Sequence, residues 1–338
     1  MLYPLIFHPL FKERVWGGRE IEKLYGKPLP PGKTIGESWE ISDRPGDESV
    51  VANGPLAGKT LRWLMENHRR ELLGDAKPAA GGRFPLLCKI LDAREKLSLQ
   101  VHPRPGTAGV SPANQETGHR DGSGPRGEPK TEMWYVAAAD AGADLFVGLK
   151  RGITRSQFEK KISDGTVADC FHRIPVHRGD AMFLPSGRVH AIGAGLVIFE
   201  IQENSDTTYR VFDWNRVGLD GKPRELHVAE SLASIDFNDF EPGLLGMKAV
   251  ADGAIQKRSL VSDPLFQIEA LEFKSGTTAL LKPKKLQIVA VTEGAVEIKA
   301  GGEAMALVAG QFCLVPAALD RVSMRATSGL AFLRVEAN

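Results

Sequence analysis

No charge of either sign is in excess: 43 Lys and Arg stand against 42 Asp and Glu, a formal net charge of +1. That balance gives no support to a nucleic-acid binder or to a solvating acidic tail, although a local cationic pocket remains compatible with it. Cysteine is scarce. Cys88, Cys170 and Cys313 are far apart and form no CxxC pair, so a disulfide framework and a thiolate zinc site are both disfavoured. They read as small buried hydrophobes suited to a reducing cytoplasm. The opening "MLYPLIFHPLFKERVW" has no basic start, no sustained apolar region and no cleavage site, and no apolar run approaches membrane-spanning length. A cytoplasmic protein with no membrane and no nucleic-acid partner is expected. No Walker-type or dinucleotide-type glycine loop is present, so neither ATP nor NAD is implied.

What is present is punctuation. The 36 glycines and 21 prolines are dispersed among many short Val/Ile/Leu/Phe runs, the pattern of a mainly-β chain rich in turns. With 338 residues two domains are expected, and "FEPGLLG" (Phe240 to Gly246) breaks the pattern at a plausible boundary. "GESWEIS" alternates as a strand, with Trp39 and Ile41 on one face and Glu40 and Ser42 on the other. "TLRWLMENHRRELLG" spaces its leucines as one helix, capped by Thr60 and ended by Gly74, with Arg69 and Arg70 towards its C-terminal end. Short helices are also expected within 154–165 and 227–235. Apolar periodicity vanishes from Pro103 to Pro129, a long loop placed at the rim of a site.

Two stretches carry chemistry. In "LSLQVHP" a period of two puts Ser98, Gln100 and His102 on one face and Leu97, Leu99 and Val101 on the other. "GDAMFLPSGRVH" is an apolar strand, a Pro-x-Gly turn and then His190, an imidazole presented at the mouth of a β-structure. With Glu132 of "KTEMWY", these residues offer two imidazoles, a carboxylate and an amide oxygen. Such a mixed set suits zinc, manganese, iron or cobalt better than calcium or magnesium. Taken singly, each residue has a plainer reading: a capped histidine, a strand-edge charge, a surface amide. His8, His68, His119, His172, His177 and His227 lack comparable partners and are read as surface or core histidines. "GQFCLVPAALDR" (Gly310 to Arg321) mirrors the His190 stretch, glycine then proline six positions on, with Arg321 at the count where His190 stands. Duplication of a whole β-barrel domain and coincidence of two strand–turn units both account for it.

Together and in this order, "LSLQVHP", "KTEMWY" and "PSGRVHAIGAG", with "RVWGG", "GESWE" and "TTYRVFDW", resemble the type I mannose-6-phosphate isomerases of the cupin superfamily, in their short bacterial form. The resemblance is close over roughly the first 240 residues and loose beyond. It implies two tandem cupin (jelly-roll β-barrel) domains with a few short helices: 1–240 catalytic and metal-binding, 241–338 cupin-like without a metal site. It implies one Zn2+ per chain, held by Gln100, His102, Glu132 and His190. It implies Arg210, Lys130 and Glu200 as catalytic residues, and Ser98 and Lys89 as contacts to a phosphosugar, through its phosphate group. The 103–129 loop is longer and more polar than the family pattern, and the large helical insertion of longer members is lacking.

The implied activity interconverts D-mannose 6-phosphate and D-fructose 6-phosphate through an enediol(ate). That chemistry needs a proton carrier at carbon, an acid for the oxygens and positive charge where negative charge develops. Lys130 and Glu200 are the candidate proton carriers, and a nearby metal and arginine would favour an ionised Glu200 and a neutral lysine. Arg210 has the plainer alternative of an ion pair with Asp206 or Asp213. A monomer or weak homo-oligomer is expected. Two other classes stay open: a non-catalytic sugar-binding or regulatory cupin, against which the full ligand set and the want of a helix-turn-helix pattern count, and a cupin enzyme of different chemistry such as an oxygenase.

Overall fold

The computed structural model describes residues 2–105, 127–246, 248–300 and 302–338. Most of the expected 103–129 loop, with His119, therefore lies outside the described residues.

The chain is mainly β, as its turn-rich composition requires. An antiparallel six-stranded sheet runs Leu10–Gly18, Ile35–Ile41, Leu86–Ala93, Leu196–Glu203, Glu132–Ala139, Ala181–Leu184. A five-stranded sheet, in the order Tyr209–Phe212, Leu99–Val101, His190–Ile192, Asp144–Leu149, Phe171–Pro175, faces it. Leu91, Trp134, Val136 and Ile198 of the first meet Leu145, Val147 and Ile192 of the second in one apolar cluster. Strands from 250 onwards form a second six-stranded sheet, Val250–Asp252, Ile255–Ser262, Phe266–Phe273, Leu330–Ala337, Gln287–Glu293, Phe312–Val315, and a four-stranded one, Thr278–Leu281, Val322–Ala326, Ala295–Ala300, Glu303–Val308. The two six-stranded sheets pack back to back through a shared core, where Phe199 stacks on Phe312 with ring centroids 5.4 Å apart. The N-terminal segment spans both halves, since Leu5 bridges to Leu314. The three cysteines are buried and free.

The two halves repeat one strand order. Ala181–Leu184 is an edge strand beside Glu132–Ala139, and Phe312–Val315 holds the same place beside Gln287–Glu293. Matched by strand start, the residue in the place of His190 is Val322, not Arg321: each opens its strand, His190 opposite Gln100 and Val322 opposite Leu281. The second turn is one residue longer.

Other local expectations shift for physical reasons. The strands expected over Phe84–Leu91 and Leu97–His102 run Leu86–Ala93 and Leu99–Val101. The single helix after Thr60 is two, Leu61–Asn67 and Arg69–Leu73, broken at His68. The break turns Leu72 and Leu73 onto the other half, where their carbonyls accept from Ala317 and Leu286. Arg69 and Arg70 thus open a second helix instead of closing a long one. Thr60 does cap the first, its hydroxyl accepting from the Trp63 amide at 3.0 Å. Trp39 and Ile41 face opposite ways, because a register shift between them puts Trp39 beside Lys89 and Ile41 beside Cys88 in the shared core. The helix expected within 154–165 is Arg155–Ser163, with a capping box from Thr154 and Gln157.

Candidate metal centre and its cavity

Strand pairing assembles the cluster. His190 lies opposite Gln100 in the five-stranded sheet. Glu132 begins its strand opposite Leu184, just before the Pro185–Gly187 turn that leads to His190. Gly187 takes a left-handed φ of +90°, and a Cβ there would also meet the Arg104 side chain and the Ser234 carbonyl. Leu99 and Val101 pack on the outer face, as the alternation requires, leaving Gln100 inward between Ser98 and His102. Leu97, just ahead of the strand, turns into the cluster between the sheets.

One ligand atom from each of His102, Glu132 and His190 lies within 4.8 Å of the others, and all three residues are buried. The protonation pattern is fixed by the backbone. His102 Nδ1 donates to the Thr207 carbonyl at 2.8 Å, and His190 Nδ1 to the Arg188 carbonyl at 2.9 Å. Each ring therefore presents the unprotonated Nε2 inward, the tautomer a metal ligand needs. His102 Nε2 and Glu132 Oε1 are buried without a hydrogen-bond partner, while Glu132 Oε2 meets Lys130 Nζ at 2.8 Å. Lone pairs that converge on one point fit a cation, and the imidazole–carboxylate donor set fits a transition metal better than an alkaline-earth ion. Burial, aided by Lys130 and opposed by Glu132, pushes His102 down to about 4, and burial lowers His190 as well, so both rings are neutral. Gln100 stands beside them, its amide 3.3 Å from His190 Nε2; rotating that amide would turn its oxygen to the cluster.

A chain of alternating charge leads away from the cluster. Lys130 Nζ is 2.8 Å from Glu132 and 3.7 Å from Glu200 Oε1. Lys89 Nζ is 3.2 Å from that same Glu200 oxygen and 3.7 Å from Glu37, and Arg14 Nε reaches Glu37 at 2.6 Å. The Trp134 indole N–H donates to Glu200 Oε2 at 2.9 Å, and Oε1 is left without a hydrogen bond. Burial works against the charge on Lys130, but Glu132 and Glu200 outweigh it and push its amine up. Burial likewise works against ionised Glu37, and Lys89, Arg14 and the Trp39 indole overcome it to bring its carboxyl down to about 2.

These groups border a cavity of about 560 Å³. Ser98, Gln100, Lys89, Lys130, Glu200 and Arg210 all line it. Ser98 Oγ donates to Gln100 at 3.4 Å. Arg210, opposite Gln100 on the neighbouring strand, donates to the Glu225 carbonyl at 2.7 Å and leaves Nε without a partner. Among the described residues it makes no ion pair with Asp206 or Asp213; Asp213 pairs instead with Arg216 and Arg224.

Sequence reasoning used Arg14 and Glu37 only as parts of motifs, named Asp213 only as an alternative partner of Arg210, and missed Arg224. The alternation of "GESWE" held a usable signal, since Glu37 and Trp39 share a face and the Trp39 indole donates to Glu37 at 2.6 Å. The glycines of "RVWGG" and "GESWE" have a steric reason: a Cβ on Gly17 would come within 2.4 Å of the Gly36 amide. In the second half, register puts Leu281, Gln287 and Val322 where Gln100, Glu132 and His190 stand in the first.

The chain resembles proteins of known activity over nearly its whole length. A family model, phosphomannose isomerase type I, catalytic domain, matches residues 5–121. Mannose-6-phosphate isomerase ManA of Bacillus subtilis is 35% identical over 322 residues, 95% of each chain. Mannose-6-phosphate isomerase of Streptococcus mutans is 34% identical over 319 residues, 94% of this chain and 93% of its own. The crystal structure of a mannose 6-phosphate isomerase from Bacillus subtilis superposes with a TM-score of 0.85 at 30% identity, covering 99% of both chains. At 23% identity, a putative mannosephosphate isomerase from Archaeoglobus fulgidus shares the fold with a TM-score of 0.72.

Proposed function

The chain belongs to the type I phosphomannose isomerases, and on that premise we propose that it interconverts mannose 6-phosphate and fructose 6-phosphate at the cavity above His102, Glu132 and His190. The observation that carries this reading is the buried convergence of ligand atoms from His102, Glu132 and His190, joined through Gln100 and Lys130 to a polar cavity large enough for a sugar phosphate.

Gln100, His102, Glu132 and His190 are the residues that would hold one zinc ion per chain, a choice supported by the neutral imidazoles and the mixed nitrogen–oxygen set. An ion held there would supply positive charge to offset the negative charge that develops on the sugar oxygens. The protein's own groups carry the protons. Isomerisation moves one proton between C2 and C1 and another between O2 and O1. Glu200 and Lys130 are the two proton carriers beside the substrate. The Trp134 indole fixes one oxygen of Glu200, leaving the other between Lys89 and Lys130 at the cavity wall. Arg210, with an unpartnered Nε in the wall, stabilises the enediolate and assists the oxygen-to-oxygen transfer. Ser98 and Lys89 border the same space and contact substrate.

We read the chain further as a duplicated cupin, 1–240 carrying the site and 241–338 lacking one. Repetition of the strand order supports this, as do the apolar residues Leu281 and Val322 at the ligand positions.

Metal analysis of the purified protein, combined with a coupled assay for fructose 6-phosphate formed from mannose 6-phosphate, tests the proposal. Turnover that scales with about one equivalent of zinc is expected; a zinc-loaded protein with no turnover refutes it.

A further inference from the structure

We propose that Arg224, carried into the cavity by the hairpin after Asp213, is the residue that binds the phosphate group of the substrate. The inference rests on the isomerase reading and adds to it a subsite in the wall that Arg224 shares with Arg210.

Phosphate recognition needs positive charge that other anions have not already claimed. Lys89 does not meet that need, because it stands between Glu37 and Glu200 at 3.7 and 3.2 Å. Lys130 is likewise flanked by Glu132 and Glu200. The opposite wall differs. Arg210 has no carboxylate partner among the described residues. Arg224 Nη1 is buried without a hydrogen bond; its nearest carboxylate, Asp213 at 3.3 Å, is shared with Arg216, which holds it at 2.7 Å. One carboxylate thus serves two guanidinium groups, with a third close by. Burial and the repulsion of Arg210 lower Arg224, and Asp213 only partly offsets them. Asp206 and Asp220 also border the cavity, but the Asp220 carboxylate is turned to the Lys222 amide at 3.1 Å. A dianion placed here would relieve the repulsion between the arginines and complete their hydrogen bonds.

The placement suits the substrate. Arg210 pairs with Gln100, and Arg224 interacts electrostatically with Arg210 while lining the same cavity. A hexose phosphate bound with C1 and C2 beside Gln100 would, on this proposal, place its C6 phosphate at Arg224. The hairpin is firmly seated at its base: the Trp214 indole donates to the Leu97 carbonyl at 2.7 Å and Arg216 to the Lys96 carbonyl at 2.6 Å. Trp214 and Asn215 there take left-handed φ angles of 56° and 55°. That uncommon backbone is tolerated where surrounding contacts over-determine it, and here it turns the chain back over the cavity.

The test uses the full-length, metal-loaded protein and its Arg224→Gln variant. Calorimetric titration with inorganic phosphate and with fructose 6-phosphate reads the subsite directly, and inhibition by unphosphorylated mannose serves as the control. Loss of a charge-assisted bidentate contact is expected to weaken both phosphate-bearing ligands about 10- to 100-fold and to raise KM for mannose 6-phosphate by a similar factor. kcat/KM for mannose 6-phosphate falls accordingly, while the mannose control stays within about threefold. Equal weakening of phosphate and mannose, or no change in phosphate binding, overturns the proposal. If Arg224→Gln fails to fold, Arg224→Lys, which keeps the charge but loses the planar fork, is read by the same ratio. Failure of the isomerase reading is recognised separately, because wild-type protein would then bind phosphate at Arg224 without turning over mannose 6-phosphate.

Discussion

His190 Nε2 lies 3.3 Å from Glu132 Oε1, and neither atom has a proton to offer the other, because the ring proton of His190 is given to the Arg188 carbonyl. Such a contact is favourable only with a cation between the two. His190→Ala and His102→Ala are therefore expected to lose most bound metal and at least about 1,000-fold in rate, and chelation of the wild type to lower its melting temperature as well as its activity. Elemental analysis beside a thermal scan checks this. Full activity in either variant, or a chelated protein with unchanged melting temperature, would contradict it.

Arg210 lies outside the three-residue cluster and lines the cavity together with Gln100 and Lys130. Arg210→Ala should keep its metal and fold and lose rate by about 100-fold or more, the usual scale for removing a donor aimed at developing negative charge. A variant turning over at the wild-type rate would remove Arg210 from the mechanism.

Asp92 gives a pH dependence that does not involve the site. Its carboxylate accepts from the Glu20 and Ile21 amides at 2.6 and 3.3 Å, yet burial dominates and raises it to about 6. The folded state thus binds this proton more readily than the unfolded one. The associated stability is fully present below the unfolded value near 3.8 and is lost as pH rises through about 6. The difference in melting temperature between wild type and Asp92→Asn should fall from pH 4 to pH 7. A constant difference over that window would show that the carboxyl titrates normally.

Phe199 joins the two halves of the chain through its stack on Phe312, and it is fully buried. Phe199→Ala is expected to cost about 3–5 kcal/mol, measured by urea unfolding. A loss below about 1 kcal/mol would mean that the back-to-back contact of the sheets contributes little.

The residues of the cluster were legible because "LSLQVHP" is a strand with one apolar face, and alternation there separates Leu99 and Val101 from Gln100. The strand–turn geometry ahead of His190 was legible for a similar reason: proline and glycine fix the turn locally. The central strands were harder. Leu86–Ala93 is buried on both faces, between its partner sheet and the back-to-back core, so Cys88 and Lys89 look alike in pattern though they point to opposite sides. A one-residue register shift reversed Trp39 against Ile41, and a one-residue longer turn moved the counterpart of His190 from Arg321 to Val322.

By itself, then, the sequence determined the mainly-β class, the turn that presents His190 and the shared face of Ser98, Gln100 and His102, since each depends on neighbours within a few residues. Only the tertiary structure decided that Glu132 meets both histidines, that Lys89 is enclosed by Glu37 and Glu200, and that Arg224 is set near Arg210. Those relations depend on ladder register across the sheets and on a hairpin folding back over the cavity. Both are fixed by long-range packing, which leaves no period in the local sequence.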